Sequence, residues 1–204
     1  MIRKHFILLG IIIALALLFI ATLYYPGGSQ ANAHSVGYTW KDNYLSNLFS
    51  AKAVNGADNT AKPWATAGMF FLTLSFGLFF IRFADRIKIK TPAIVIKICG
   101  IIAMICGLLA TITALHDAMI PIGATLSLIA CFYITVFVFK TKLHWHKLLS
   151  VIMLLLVYTC CYLYSTRTLA ILPIMQKLAL LANIVWVLSL EYFSRKEDFA
   201  HITK

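Results

Sequence analysis

Six long stretches almost free of charge, at about residues 6–25, 64–83, 93–115, 120–139, 148–164 and 169–190, decide what this chain can fold into. At 1.5 Å per residue, a helix of roughly 17 to 23 residues is long enough to cross a hydrocarbon core of about 30 Å. In lipid every backbone N–H and C=O must find its partner inside the segment, so such spans are helical. The expected fold is therefore all-α: an integral membrane bundle of six transmembrane helices forming a single membrane domain over 1–204. Short connections after the first make consecutive helices antiparallel neighbours. Composition agrees, since 61% of the residues are hydrophobic, against about 45–50% apolar in a typical soluble domain.

A formal net charge of +11 would suggest a nucleic-acid partner in a soluble chain. Here topology accounts for it. Arg3, Lys4, Arg82, Arg86, Lys88, Lys90, Lys140, Lys142, Lys147, Arg195, Lys196 and Lys204 fall at one end of the expected bundle. Only Lys41, Lys52, Lys62 and Arg167 fall at the other. The positive-inside bias then places both the N and the C terminus in the cytoplasm, with membrane lipids as partners and no nucleic acid. A composition rich in Ile and Lys suggests a bacterium, and with it the inner (plasma) membrane. Lys97, about one turn into its span, can snorkel back to the basic side. The first span follows Arg3, Lys4 and His5, and Ala31-Asn32-Ala33 resembles a cleavage site. Its apolar run exceeds the usual 7–15 residues of a signal peptide, and the triplet lies far beyond it, so a retained anchor is expected. The five cysteines lie inside apolar runs without a CxxC pair, which suits buried free thiols.

The connector at 26–63 is the long polar segment. Within it Trp40, Tyr44, Leu48 and Phe49 recur at helical spacing, which predicts a short amphipathic helix over 37–50 on the membrane surface. Asn55-Gly56 and Asp58-Asn59 are turn chemistry. Six-helix topology puts the Leu115–Ala118 turn on the same outer face, so His116 and Asp117 can share a shallow cavity with Asp42, Asn43, Ser46, Asn47 and Asn59. Arg167, in the last outer turn, is placed to pair with Asp117 or a lipid phosphate. An adjacent imidazole and carboxylate suit acid-base work or a corner of a metal site; capping of a helix end explains the same pair. No metal is assigned and no cofactor is named. His144 and His146 lack companions for a metal shell, and haem would lack facing axial ligands. Gln176 and Lys177 lie inside the last span, where a charge is either functional or snorkelling. Asn183 is expected to bond between helices, and Glu191 to pair locally.

Tyr25-Pro26-Gly27-Gly28-Ser29, then His34 to Trp40, Asn43-Tyr44-Leu45-Ser46-Asn47-Leu48 and Asn55-Gly56 to Asn59 resemble the first-loop pattern of the bacterial membrane family called domain of unknown function 998. The resemblance implies about six or more membrane helices and importance for the first loop. That family is in turn similar to the CREST group of membrane hydrolases and receptors, whose members share zinc-binding Asp and His residues at helix ends. Here Asn47 stands where an acidic residue is often found, and the final helix has no HxxxH pair.

Three functions follow as expectations. The first is binding of a small polar group or lipid headgroup in an outer-face cavity under the connector. The second is CREST-like lipid hydrolysis through His116, Asp42 or Asp117, with Ser46 as a hydrogen-bond donor. The third is a structural subunit of a larger complex, which predicts no cavity and a wide apolar lateral face.

Overall fold

The computed structural model describes residues 5–202; Arg3, Lys4 and Lys204, counted above among the basic residues, lie outside these. Six helices carry the chain: α1 Phe6–Leu23, α2 Lys62–Ala84, α3 Lys90–Ile112, α4 His116–Phe139, α5 His144–Ser165 and α6 Leu172–Phe193. All six are long and apolar enough to cross a membrane. Among the described residues the only β pairing is two isolated bridges in the connector. The protein is thus an all-α, polytopic membrane protein. Helices α4 and α5 begin at 116 and 144, earlier than apolar content suggested. The reason is that N–H groups of a first helical turn need no intrahelical acceptor, so polar residues sit there without loss.

Helix α1 packs on α2, α2 on α3, α3 on α4 and α5 on α6, while α6 closes back on α1 and α2. Phe79, Phe80, Phe83, Ile134, Trp186 and Leu190 form the fully buried centre. Small residues bring the backbones together. A Cβ at Gly68 would lie 3.1 Å from Ala14 O, and one at Gly100 would run into the Phe80 ring. Gly77 and Gly107 differ, because a Cβ at either would meet nothing nearer than 4.0 Å and 3.6 Å respectively. They border open crevices instead of close contacts.

The outside of the bundle carries exposed Phe19, Ile94, Phe132 and Leu155, a girdle suited to acyl chains. Aromatic residues mark its two ends, as in other membrane proteins. Tyr24 stacks on Trp64 at 5.9 Å beside the connector, and exposed Trp145 and Phe193 stand at the opposite end. That opposite end holds both termini of the described chain, joined by a 2.6 Å contact between His5 Nδ1 and Tyr192 Oη. Glu191 does not pair within its own turn there. It accepts from Arg82 at 2.7 Å and from Arg86 at 2.6 Å, clasping α6 to α2. Arg86 also donates to Leu190 O and to Ser194 Oγ, each at 2.8 Å. Burial lowers the Arg86 pKa from its usual value, and the Glu191 charge acts against that shift.

The connector is folded but is not the amphipathic helix its spacing predicted. Gly37 has a φ of 68° and Tyr44 is extended, so only a 3-10 turn, Leu45–Phe49, forms in this stretch. Asn side chains take up the backbone groups that a helix would have paired, a competition to which Asn is prone. Leu48, Phe49, Ala53 and Tyr25 pack with Leu18, Ala21 and Ala65 into a second small core. Gly28, at a φ of 81°, lies against the Val54–Asn55 backbone so closely that a Cβ would collide with it. The result is a cap seated on the ends of α1, α2, α3 and α6.

Candidate functional site

Two asparagines build the cap from within. Asn43 is fully buried. Its Oδ1 accepts from Thr39 N at 2.9 Å and Thr39 Oγ1 at 2.7 Å, while Nδ2 donates to Gly28 O at 2.7 Å and Asn47 Oδ1 at 3.3 Å. Asn59 Nδ2 donates to the carbonyls of Asn47 at 3.0 Å, Leu48 at 3.3 Å and Ser50 at 2.9 Å, and Oδ1 accepts from Ala61 N. Both amides are spent on partners inside the cap and cannot also hold a ligand. Asn47 is divided. Its Oδ1 accepts from Tyr44 N at 2.7 Å, whereas its Nδ2 meets no protein acceptor among the described residues.

Under the cap lies a cavity of about 470 Å³, with Ser46, Asn47, Ser50, Lys62, Thr111 and His116 among its walls. Its size falls in the range of small-molecule sites, about 300–1,000 Å³. His116, at the start of α4, has two roles. Nδ1 donates to Ala110 O at 3.1 Å, closing the C-terminal end of α3, since a carbonyl can only accept. His116 is also a wall residue of the cavity, and its Nε2, without a partner among the described residues, is an acceptor in the neutral ring and a donor once protonated. The cap role and the cavity role therefore belong to opposite edges of one ring. Lys62 brings the positive charge of its ammonium and of the α2 N-terminus to the opening. No carboxylate is among the wall residues.

Ser46, Phe49, Ala110, Thr111 and His116 are shared with a second chamber of about 200 Å³ deeper in the bundle. There the other walls are Leu18, Leu45, Met69, Leu72, Gly107, Ile120, Gln176 and Leu180, nearly all apolar. Gly107 leaves the space that a larger side chain would fill. Gln176 Oε1 accepts from Leu45 N at 3.0 Å, which fixes the amide so that Nε2 remains a donor without a protein partner among the described residues. Next to it, Lys177 reaches out of α6 and up to the cap. Its Nζ donates to Asn43 O at 2.6 Å and Pro173 O at 2.9 Å and lies 5.6 Å from the Tyr38 ring centre. This lysine snorkels and at the same time fastens the cap.

Of the residues singled out from the sequence, the structure brings Ser46, Asn47 and His116 together around the cavity. Asn43 and Asn59 stand behind the wall as framework. Asp42 is near enough to Lys177 to interact electrostatically. Asp117 is exposed in the first turn of α4 and Arg167 is exposed with a φ of 58°, over the Tyr164 ring. Among the described residues the expected Asp117–Arg167 pair does not form, and the Arg167 guanidinium lies over the ring of its neighbour Tyr164 instead. Asn183 donates to Ala179 O one turn back in its own helix and not across helices. Sequence reasoning missed Ser50, Lys62 and Thr111. Ser46 and Ser50 share a four-residue spacing, and Lys62 is the one cation directly before Pro63 at the start of a span; both signals were visible.

Comparison with family models, curated proteins and solved structures finds no match. Zinc can be tested on the donor set alone. Among the described residues no three His, Cys, Asp or Glu side chains cluster as metal ligands would, and His116 has Ser, Asn, Thr and Lys for company. The residues around the cavity do not fit a CREST-type zinc centre.

Proposed function

We propose that this protein binds the polar group of an anionic amphiphile, such as a phosphate-bearing lipid headgroup, in the cavity under its connector. One observation carries the reading. Among the described residues Ser46, Ser50, Lys62 and Asn47 Nδ2 offer donors with no protein acceptor, no carboxylate stands in the cavity wall, and the space continues directly into an apolar chamber. These side chains are exposed or half-exposed, so water can hold the donors until a ligand takes its place. The exposed Lys88, Lys90, Lys142, Arg195 and Lys196 at the other end of the bundle support an orientation with the termini in the cytoplasm and the cavity on the outer face of the plasma membrane.

The test is native mass spectrometry of the detergent-purified full chain with phosphatidylglycerol or phosphatidylcholine. Phosphatidylglycerol is expected to bind more tightly. Lys62→Gln combined with His116→Asn, which keeps a donor for Ala110 O, is expected to weaken it at least tenfold, because each hydrogen bond to a charged group contributes about 1.5–3 kcal/mol. Equal binding by the wild type and the double variant would overturn the reading. The resemblance to domain of unknown function 998 supports the weight placed on the connector. Catalysis by His116 and Ser46 has no metal set to lean on here.

A further inference from the structure

Two further spaces adjoin the chamber. A groove of about 350 Å³ lies between α4, α5 and α6, with Pro121, Thr125, Cys161 and Tyr164 among its walls. It shares Ile120 and Gln176 with the chamber under the cap. A pocket of about 200 Å³ beside Met104, Ser127, Asn183 and Trp186 shares Leu180 with that chamber and Ala124 and Val157 with the groove. From Gln176 to Trp186 the column runs ten residues of α6, or about 15 Å. Fully buried Phe79, Phe83 and Leu190 lie beyond it, so it is blind toward the termini.

The groove has a structural cause. Gly123 lets α4 close on α3, where a Cβ would lie 3.0 Å from Cys106 Cβ and 3.3 Å from Ala103 O. Helix α5 is instead pinned to α6 near the termini, by Trp186 Nε1 donating to Ser150 Oγ at 2.7 Å and by His146 Nε2 donating to Ser189 O at 3.2 Å. Three of the four buried residues of α5, His146, Ser150 and Met153, lie in that half. With α4 drawn to one side and α5 fastened at its far end, the seam between them opens toward the connector, where Pro121, Thr125 and Tyr164 are exposed at the flank.

Resting on the function proposed above, we infer that this seam is a lateral portal. Through it one hydrocarbon chain of the anionic amphiphile passes from the connector-side leaflet into the column, while the headgroup occupies the cavity of Lys62 and His116. The occupant follows from continuity: the groove is apolar, opens toward the flank, and joins a chamber whose other end is rich in donors and lacks carboxylates. Gln176 stands at the junction, and its Nε2 is placed to donate to an ester or glycerol oxygen just below the headgroup.

The test uses the full chain in phosphatidylcholine nanodiscs with two probes, lysophosphatidylglycerol and chainless glycerol 3-phosphate. Thr125→Trp, which fills the groove without touching the cavity walls, is expected to weaken lysophosphatidylglycerol at least tenfold and leave glycerol 3-phosphate unchanged. As a measurement that needs no bulky variant, maleimide labelling of Cys160 and Cys161 in the otherwise wild-type chain is expected to slow with lysophosphatidylglycerol and not with glycerol 3-phosphate. If both probes bind equally and neither slows labelling, the portal is wrong while the headgroup site stands. If neither probe binds above the level of the Lys62→Gln/His116→Asn variant, the headgroup reading falls as well and the portal with it.

Discussion

Asn43→Asp is the change that separates an amide used as framework from one free for a ligand. The replacement is nearly isosteric, and its carboxylate keeps the two bonds accepted from Thr39 N and Thr39 Oγ1. It loses both donated bonds and sets a carboxylate oxygen against Gly28 O, which the amide nitrogen approached at 2.7 Å, and Asn47 Oδ1, at 3.3 Å. An unsatisfied buried acceptor costs about 1–3 kcal/mol, so the shorter contact near the top of that range and the longer near the bottom give about 3–4 kcal/mol. At about 1.4 kcal/mol per tenfold, the cap should open more than about 100-fold more often. The spans need not unfold, since their pairing is internal, so the effect is local. Amide hydrogen exchange reads it at Asn43 N, held by Thr39 O at 2.9 Å, and at Tyr44 N, held by Asn47 Oδ1 at 2.7 Å. Asn55→Asp is the matched control, because Asn55 uses only Oδ1, toward Ala57 N, and Asp retains that acceptor. Equal exchange in the two variants would refute the argument, because Asn43 is buried with its NH2 group bonded, whereas Asn55 is exposed and its NH2 group makes no bond among the described residues.

Glu191→Gln removes the carboxylate that Arg82 and Arg86 share, at a site where the Glu191 side chain is 8% exposed. The thermal unfolding temperature in detergent should fall by an amount corresponding to about 3 kcal/mol, whereas Lys52→Gln at the exposed Lys52–Asp58 pair should change stability by less than about 1 kcal/mol. Burial, reinforced by Tyr25, raises the Tyr38 phenol above its usual pKa of 10.0. The folded cap therefore holds that proton more firmly than the open one, and its stability is intact below pH 10 and lost as pH rises toward the elevated folded value. Tyrosinate absorbance should show a late-ionising component that shrinks in Tyr38→Phe, leaving the contributions of Tyr25 and Tyr44, which burial also raises. Lys177→Met removes the bonds to Asn43 O and Pro173 O, and exchange over residues 38–47 should accelerate about tenfold or more while the exchange of α2 stays the same.

Hydrophobic length made the six spans legible, because lipid imposes one solution on a long apolar run. The connector was legible only as important. Its helical spacing misled, since periodicity reports which side chains are apolar and says nothing about whether an Asn will take the backbone groups for itself; Asn43 and Asn59 did so. His116 was identifiable from its place at a helix end, and the structure gives it both the capping role and the cavity edge at once. That Arg167 would lie over the Tyr164 ring instead of pairing with Asp117 could not be read from sequence, because it depends on how the α5–α6 turn folds at a φ of 58°.

Helix α6 makes the cap and the chamber one system. Gln176 and Lys177 are consecutive, yet one holds Leu45 N and the other Asn43 O, and Gln176 also forms the chamber wall. A ligand lodged beneath the cap touches Ser46 and Phe49 only while that turn is docked. Occupancy must then stabilise the closed cap, by about 2.7 kcal/mol at a ligand concentration one hundred times its Kd. Exchange at Tyr44 and Asn47 should accordingly slow by about 100-fold with saturating lysophosphatidylglycerol. In Gln176→Met and Lys177→Met, where the two ties to α6 are cut singly, the ligand should recover part of the lost protection. If ligand binds and exchange in the cap does not change, the cap is a fixed roof and binding is reached entirely from the side.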